Sequence, residues 1–320
     1  ARMAQGLDTL AVVIEGPERL ALNRLPLQSP ASDDVLVDVE WSGISTGTER
    51  LLWSGRMPNF PGMGYPLVPG YESVGRVRAV GSKVSSHRVG DRVFVPGARC
   101  FGEVRGLFGG AASQLVVPAQ RVLGIDESLA ERGVLLALAA TAYHALAASG
   151  ARPPDLIVGH GVLGRLLARL TLAMGGDAPT VWERDLRRRD ESAGYLVLAP
   201  EDDTRRDYRS IYDVSGDAHI LDAAIARLAM GGEVVLAGFY VEPLSFVFAP
   251  AFMREARIRI AAEWKESDLH AVLEHVQSGR LSLDGLITHR HDADAAGTAY
   301  RQAFGDADCL KMILDWRYTA

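Results

Sequence analysis

The sequence predicts an α/β fold with two differently patterned halves. Residues 8–126 form short runs of alternating apolar and polar side chains broken by Gly and Pro, a pattern that favours a compact antiparallel β-barrel. From about Leu129, apolar residues recur at helical spacing between short apolar runs, which is typical of a doubly wound parallel sheet. A chain of 320 residues has the length of about two such domains.

Five strands are predicted for the β-rich half, because each run alternates and is bounded by turn residues. They cover residues 9–14, 34–40, 72–80, 92–95 and 113–117.

A glycine turn opens the second half. The apolar run 156–158 precedes Gly159, Gly161 and Gly164 in the spacing G-x-G-x-x-G, and Leu166 and Leu170 then continue at helical spacing. Such a turn lets the backbone approach a pyrophosphate, which the free N–H groups at the helix start can bind. The sequence therefore predicts a trimmed Rossmann domain that binds a dinucleotide.

The identity of the dinucleotide depends on the end of the next strand. Glu183 follows the run 180–182 about 20 residues after Gly164, where a carboxylate can accept the ribose hydroxyls of NAD. Arg184 and the cluster 187–189 could instead hold a 2′-phosphate. The carboxylate favours NAD over NADP.

The rest of the sheet is predicted from two later strands, 208–216 and 232–240, on either side of a helix over 220–230. The segment 201–209 is too polar for a packed crossover helix, so loops replace one or two helices. A last strand lies within 254–262 and a helix within 267–277. Strand-like alternation returns at 286–289 and 309–316.

The bulk composition excludes several classes of function. The 34 basic and 40 acidic residues give a net charge of −6, so no general electrostatic footprint for nucleic acid exists. Two cysteines, Cys100 and Cys309, are too few for a disulfide framework and favour a reducing cytoplasm. No apolar run approaches the ~20 residues of a membrane-spanning helix.

Several motifs together resemble the medium-chain dehydrogenase/reductase superfamily. They are the glycine turn and residues 41–44, 69–77, 89–93, 109–113, 141–143 and 285–289. The resemblance implies a GroES-like catalytic domain over 1–126, a Rossmann NAD-binding domain over 127–264 and a return to the catalytic domain over 265–320. Family members are often dimers that extend the nucleotide-domain sheet, so the resemblance also implies a possible homodimer.

Within the superfamily, residues 41–58, 60–72 and 102–110 are similar to dehydrogenases that oxidise the 3-(1-hydroxyethyl) group of a bacteriochlorophyllide to acetyl. This resemblance alone supplies the expected substrate, a flat macrocycle. A stiff loop marked by Gly and Pro carries side chains that suit such a ring, with a cation for its propionate: Trp53, Arg56, Met57, Phe60 and Tyr65. These aromatics could equally pack the barrel flank.

The chain departs from the zinc-dependent members at three ligand positions. Ser45, Tyr71 and Ala137 stand where those members carry Cys, His and a further Cys or Glu, and Cys100 is isolated where they carry a four-cysteine lobe. Zinc prefers thiolate and imidazole ligands, so no metal is predicted.

Without zinc, a hydrogen-bond relay has to stabilise the developing alkoxide. Tyr71 is the expected proton relay, and Ser45 or Thr48 is expected to hold the substrate hydroxyl. Glu72 is a further catalytic candidate, although a structural carboxylate paired with an Arg is the alternative. Tyr71 could likewise be a core phenol.

Carried over from the family's motifs, the expected cofactor contacts are Thr141, Gly159, His160, Gly161, Val162, Leu163, Gly164, Glu183, Arg184, Ser215, Gly216, Gly238, Phe239, Tyr240 and Lys311. Among these, the resemblance places Lys311 on the pyrophosphate. Two other functions remain open: a zinc-free quinone or enoyl reductase of the same superfamily, and a non-catalytic nucleotide-binding protein.

Overall fold

The structure is a computed structural model that describes residues 7–189 and 194–319. It divides into two compact units, residues 1–137 with 284–320, and residues 138–283. These boundaries differ from the expected 126/127 and 264/265. The 3₁₀ segment Glu127–Leu135 joins the first unit because Gly133 packs closely on Val74. The helix Glu266–Gln277 joins the second unit, where Asp268 bonds the ring of His144 at 2.7 Å.

The first unit is β-rich, and all five strands predicted for it are present: β1 (Asp8–Gly16), β3 (Asp34–Ile44), β5 (Ser73–Val80), β6 (Arg92–Val95) and β8 (Gln114–Pro118). The described residues add β2 (Arg19–Pro26), β4 (Leu67–Val68), β7 (Arg105–Gly106) and β9 (Leu123–Gly124), which are either mostly half-exposed or too short to show alternation. The helix α1 (Thr48–Ser54) follows β3.

The chain returns to this unit with the predicted strands β16 (Ile287–Asp292) and β17 (Lys311–Asp315), which flank the helix α7 (Ala296–Gly305). One sheet has the order β2-β1-β4-β7, and the other has the order β16-β17-β3-β5-β6-β9 with β8 also on β3. Most pairs are antiparallel, but β16 runs parallel to β17 and β4 to β7. Their inward faces and α7 enclose a common apolar core.

The second unit confirms the predicted parallel sheet. Its strands are β10 (Leu156–Val158), β11 (Thr180–Trp182), β12 (Leu196–Leu198), β13 (Tyr208–Asp213), β14 (Leu228–Leu236) and β15 (Arg257–Ile260). They lie in the order β12-β11-β10-β13-β14-β15, and every pair is parallel. The strands on either side of β10 extend the sheet in opposite directions, as in a doubly wound fold.

The helices of the second unit are shorter than a full Rossmann fold would have. They are α2 (Leu136–Leu146), which begins at the boundary, α3 (Val162–Ala173), α4 (Ile220–Ile225), α5 (Phe248–Arg254) and α6 (Glu266–Gln277). The predicted helix over 220–230 ends five residues early, because residues from Leu228 onward pair with β13. The polar segment after β12 holds only the 3₁₀ turn Pro200–Asp202, as predicted. Across the described residues, no helix is both long and apolar enough to cross a membrane.

Candidate active site and cofactor site

Three of the four predicted catalytic side chains meet in the first unit. Ser45 follows β3, Thr48 begins α1, and Tyr71 lies just before β5. Ser45 Oγ lies 2.6 Å from Tyr71 Oη, and Thr48 Oγ1 lies 3.4 Å from Tyr71 Oη and 3.5 Å from Ser45 Oγ. The structure thus forms a cluster of three hydroxyl groups, called here the hydroxyl cluster.

The Tyr71 phenol stays protonated in this cluster. Burial raises the pKa of Tyr71 well above its ordinary value, and the negative charge of Glu72 raises it further. Hydrogen bonds from Ser45 and Thr48 act in the opposite direction and are weaker. A neutral phenol can accept one proton and pass on another, as a relay requires.

Glu72, the fourth candidate, is engaged by Lys311 rather than by the hydroxyl cluster. Lys311 Nζ lies 2.7 and 3.0 Å from the two Glu72 carboxylate oxygens, and it also donates to Ile44 O at 3.2 Å. Both side chains are buried. A Cβ on Gly43 would lie 2.6 Å from Glu72 Oε1, so only glycine fits beside this ion pair.

This pairing changes the expected role of two residues. The family resemblance implies a place for Lys311 on the cofactor pyrophosphate, but its ammonium is buried and bonded within the first unit. The partner expected for Glu72 was an arginine, whereas the structure supplies a lysine from β17, the strand that pairs with β3. Only tertiary structure brings these residues together, because 239 positions separate them.

Glu49 is a second buried carboxyl group beside the hydroxyl cluster. Its Oε1 accepts a hydrogen bond from Ser45 N at 3.1 Å, and its Oε2 accepts one from Tyr300 Oη at 2.9 Å. Burial raises the pKa of Glu49 to about 8, so the group is largely protonated at neutral pH. Tyr300 lies on α7, and no local sequence signal connects it with Ser45.

The donor set at these positions does not fit the catalytic zinc that the resemblance implies for zinc-dependent members. Ser45 and Tyr71 present a hydroxyl and a phenol, Ala137 offers no donor, and Glu72 is held by Lys311. Zinc sites in proteins use thiolate, imidazole and carboxylate ligands at close range. Within residues 7–189 and 194–319, no three His, Cys, Asp or Glu side chains are grouped to hold a metal ion.

The glycine turn of the second unit has the geometry that its spacing predicts. Gly159 has a φ of +110°, and a Cβ on Gly164 would lie 1.9 Å from Gly159 O. Gly161 caps α3, so Val162 and Leu163 form the first turn of the helix. The N–H groups at this helix start are suited to bind a pyrophosphate.

Glu183 and Arg184 line a cleft of about 540 Å³ beside this turn, together with Gly159, Ser215 and other side chains of the second unit. Glu183 Oε1 accepts a hydrogen bond from His160 N at 3.3 Å, which ties the carboxylate to the glycine turn. The His160 ring is buried and bonds Arg188 O and Tyr195 Oη at 2.5 and 2.8 Å. That ring therefore supports the turn, while the His160 backbone N–H bonds Glu183.

The loops after β13 and β14 meet through the carboxylate of Asp213, which is not among the residues predicted from the sequence. Asp213 Oδ1 accepts from Ser215 Oγ at 2.6 Å, and Asp213 Oδ2 accepts from Tyr240 Oη at 2.5 Å. A Cβ on Gly238 would lie 3.2 Å from Gly216 N, so these two backbones are adjacent. Asp213 ends a buried parallel strand, which is the signal that could have identified it.

Two other predicted cofactor residues differ in accessibility. Phe239 is exposed beside this pair of loops, and Thr141 is half-buried on α2.

The predicted substrate loop has its aromatic residues mainly turned inward. Trp53, Met57 and Tyr65 pack on a small cluster of buried residues, Ile14, Leu52 and Leu67. Tyr65 Oη also donates to Leu52 O at 2.5 Å. By contrast, Phe60 and Arg56 are exposed.

Comparison with known proteins agrees with this fold. Residues 31–127 match the family model of the alcohol dehydrogenase GroES-like domain. A short chain alcohol dehydrogenase of Escherichia coli CFT073, solved with NADH, superimposes with a TM-score of 0.84 at 23% identity, covering 97% of this chain and 100% of that one. A putative zinc-binding dehydrogenase of Sinorhizobium meliloti 1021, bound to NADP, gives 0.81 at 22% identity and the same coverage.

Two curated relatives are much more similar in sequence. The 2-desacetyl-2-hydroxyethyl bacteriochlorophyllide A dehydrogenase of Cereibacter sphaeroides is 57% identical, covering 98% of this chain and 100% of the relative. The enzyme of the same name from Rhodobacter capsulatus is 56% identical, covering 97% and 99%. The chain therefore belongs to the medium-chain dehydrogenase/reductase superfamily and is an oxidoreductase of the alcohol dehydrogenase type. Within that superfamily it belongs to the family of these bacteriochlorophyllide dehydrogenases.

Proposed function

We propose that this enzyme oxidises the 3-(1-hydroxyethyl) side chain of a bacteriochlorophyllide to an acetyl group, with NAD as hydride acceptor and without zinc. The observation that carries the proposal is the hydroxyl cluster of Ser45, Thr48 and Tyr71. By the family resemblance, Ser45 and Tyr71 occupy two positions where zinc-dependent members carry ligands. The substrate is supported by the two relatives named above.

In the proposed reaction, bound NAD would supply the two-electron acceptor for the hydride released when the carbinol C–H bond breaks. The O–H bond also breaks, and its proton moves to Tyr71 Oη or Ser45 Oγ as the ketone forms. The 2.6 Å hydrogen bond between these atoms lets one hold the substrate hydroxyl while the other takes the proton. Because these hydroxyl groups are neutral, each one releases its own proton as it accepts another. The proton is thus passed through Thr48, which is half-buried, and leaves to solvent water.

Glu49 keeps this cluster positioned through the backbone N–H of Ser45. Because its carboxyl is held largely neutral, it adds little negative charge beside a developing alkoxide. A charged carboxylate at this place would oppose the reaction electrostatically.

NAD would be held by the second unit. The turn 159–164 suits the pyrophosphate, and Glu183 suits the adenosine ribose hydroxyls. Ser215, Gly216, Gly238, Phe239 and Tyr240, with Thr141, would form the nicotinamide end, where Asp213 holds Ser215 and Tyr240. A 2′-phosphate would bring negative charge toward Glu183, which favours NAD over NADP.

On the substrate side, Arg56 is an exposed cation that could pair with the propionate of the macrocycle. The exposed ring of Phe60 is available for apolar contact with the pigment.

We also infer a homodimer and a cytoplasmic location. In the described part of the chain, β15 pairs only with β14, and Ile260 on this edge strand is 76% exposed. Phe248, Phe252 and Met253 on the neighbouring α5 are also exposed. An edge strand with an exposed Ile260, beside exposed apolar residues of α5, favours pairing with a second copy. Cys100 and Cys309 are buried and are not joined in a disulfide, which suits a reducing compartment.

The experiment is an absorption measurement. Chelator-treated protein is mixed with NAD and 3-(1-hydroxyethyl)bacteriochlorophyllide a, and the long-wavelength band is followed for the shift of an acetyl product. Tyr71→Phe is the matched control. A shift that survives the chelator and is strongly slowed in the control supports the proposal. A shift abolished by the chelator and restored by zinc overturns the metal-free mechanism.

Absence of any shift, with NAD still bound, overturns the substrate. In that case, NADPH-dependent reduction of a quinone or enone would identify the zinc-free reductase function. Cofactor binding without turnover of any alcohol, quinone or enone would instead indicate a non-catalytic nucleotide-binding protein.

A further inference from the structure

An aromatic side chain outside the predicted set lies next to the hydroxyl cluster. The ring of Phe108 is centred 5.9 Å from the Tyr71 ring, with an interplanar angle of 72°. Phe108 is nevertheless 40% exposed. The phenol proposed to take the substrate proton therefore has an accessible apolar ring at its edge.

The backbone around Phe108 is fixed on both sides. Leu107 N and Gly109 N both donate to Val68 O at 2.8 Å, and Phe108 O accepts from Ala98 N at 2.9 Å. Val68 is a buried residue of β4, so the segment is attached to the barrel core.

Two glycines make this attachment possible. A Cβ on Gly97 would lie 2.3 Å from Phe108 O, and one on Gly109 would lie 1.9 Å from Ala98 O. Both glycines have φ values in the left-handed region, +127° and +84°. The chain thus uses two conformations available mainly to glycine to hold Phe108 where it is.

Exposure of a large apolar side chain on a fixed backbone calls for a physical reason. Burial of a phenylalanine side chain stabilises the folded state, and a mobile loop would gain part of this stabilisation by folding inward. The hydrogen bonds of Phe108 and its neighbours oppose that movement. By contrast, the predicted platform residues Trp53, Met57 and Tyr65 pack into the barrel flank.

We propose that Phe108 is the stacking surface for the conjugated ring that carries the reacting carbinol, and so determines specificity for flat aromatic substrates. This inference rests on the proposed function. Stacking on Phe108 would place a ring substituent within reach of the Tyr71 hydroxyl, because the two rings are in edge contact. A small aliphatic alcohol has no ring to stack on Phe108, so its binding needs no such contact.

The test compares Phe108→Ala, Phe108→Leu and Phe108→Trp with the intact enzyme. Tyr318→Ala is the control, since Tyr318 is an exposed aromatic residue of the same unit that contacts Arg317. Steady-state kinetics use NAD with 3-(1-hydroxyethyl)bacteriochlorophyllide a and, separately, 2-butanol. NADH affinity and melting temperature are measured for every variant.

The expected result for Phe108→Ala is a loss of about tenfold to a hundredfold in kcat/KM for the pigment, mainly through KM, as loss of one stacking contact implies. Phe108→Trp retains activity, Phe108→Leu is intermediate, and any turnover of 2-butanol is unchanged. Retained kcat/KM in Phe108→Ala overturns the inference. Equal losses for both alcohols, or a lower NADH affinity, also overturn it by showing a structural role.

Direct binding separates this inference from the proposed reaction. If the intact enzyme does not oxidise the pigment but binds it, with quenching of its fluorescence, the reaction fails, and loss of binding in Phe108→Ala still supports stacking. If the intact enzyme neither oxidises nor binds the pigment, both the reaction and the stacking surface are rejected.

Discussion

Glu72 and Lys311 form an ion pair in which both side chains are almost inaccessible to solvent, at 0% and 2% exposure. Two separate segments of the first unit, one before β5 and one at the start of β17, are joined by this contact. The pair lies beside Ile44 and Gly43, immediately before Ser45 in the chain. Its integrity therefore bears on the position of the hydroxyl cluster.

The first prediction concerns this pair. Lys311→Met leaves the Glu72 carboxylate buried without its cation, so we expect the free energy of unfolding to fall by about 3–5 kcal/mol. The double variant Glu72→Gln/Lys311→Met removes both charges and should recover much of that loss. Denaturant titration measures all three proteins. A stable Lys311→Met variant with weakened NADH binding would instead show that Lys311 contacts the cofactor pyrophosphate.

The second prediction concerns the pH dependence caused by Glu49. Its pKa is about 8 in the folded protein against 4.5 in the unfolded chain, so the folded state holds a proton that the unfolded state releases. The stability this provides is complete below pH 4.5 and is lost as pH rises through about 8. Glu49→Gln keeps an acceptor for Ser45 N but cannot ionise.

Melting temperatures of the wild type and Glu49→Gln between pH 5 and 8.5 test this. The other titratable groups packed near Glu49, which are Tyr71, Glu72, Tyr300 and Lys311, are common to both proteins. The wild type should therefore lose stability relative to Glu49→Gln as the pH rises. Parallel curves would show that Glu49 is ionised in the folded state.

The third prediction tests whether Ser45 and Tyr71 act as one relay. Tyr71→Phe should lower kcat for the pigment by about a hundredfold or more, the usual contribution of a general acid–base group. Ser45→Ala should have a comparable effect, and the double variant should be little worse than either single one, because the groups share one hydrogen bond. NADH affinity should stay unchanged. If the losses in the two single variants add fully in the double variant, Ser45 and Tyr71 act independently rather than as one relay.

The fourth prediction concerns cofactor choice. Glu183→Gln removes the charge that opposes a 2′-phosphate, so we expect kcat/KM with NAD to fall and discrimination against NADP to shrink by about tenfold or more. Arg184→Ala is the matched control on the same cleft and should not improve the use of NADP. The opposite result has two parts: the wild type is more active with NADP than with NAD, and Arg184→Ala selectively loses the NADP activity. That result would show that the enzyme prefers NADP.

The fifth prediction concerns assembly. Ile260→Glu places a charge on the exposed apolar edge strand, so sedimentation velocity should show a shift from dimer to monomer. Leu186→Glu is the control, because Leu186 is an equally exposed apolar residue of the same unit, away from β15. If Ile260→Glu remains a dimer, the interface lies elsewhere on the protein. If the wild type is a monomer, the proposed dimer does not exist.

Local pattern was sufficient for much of this protein. Strand alternation, the spacing of Gly159, Gly161 and Gly164, and the position of Glu183 each depend on neighbouring residues, and the structure agrees with them. The motifs also identified the superfamily, because they combine short segments whose order along the chain is visible without folding. The same motifs predict Ser45, Thr48 and Tyr71 as candidate site residues, and the structure brings their hydroxyl groups together.

Tertiary structure alone decided the electrostatics around them. Lys311 was expected on a phosphate but is bonded to Glu72, and Tyr300 reaches Glu49 from 251 residues away. No local period records such pairs, since burial and partner choice depend on which strands become neighbours. Phe108 likewise becomes a candidate substrate contact only through its position, which is exposed, fixed and next to Tyr71. The charges and hydrogen bonds of this site depend on contacts between distant segments. The fold, by contrast, can be predicted from the local pattern of each segment.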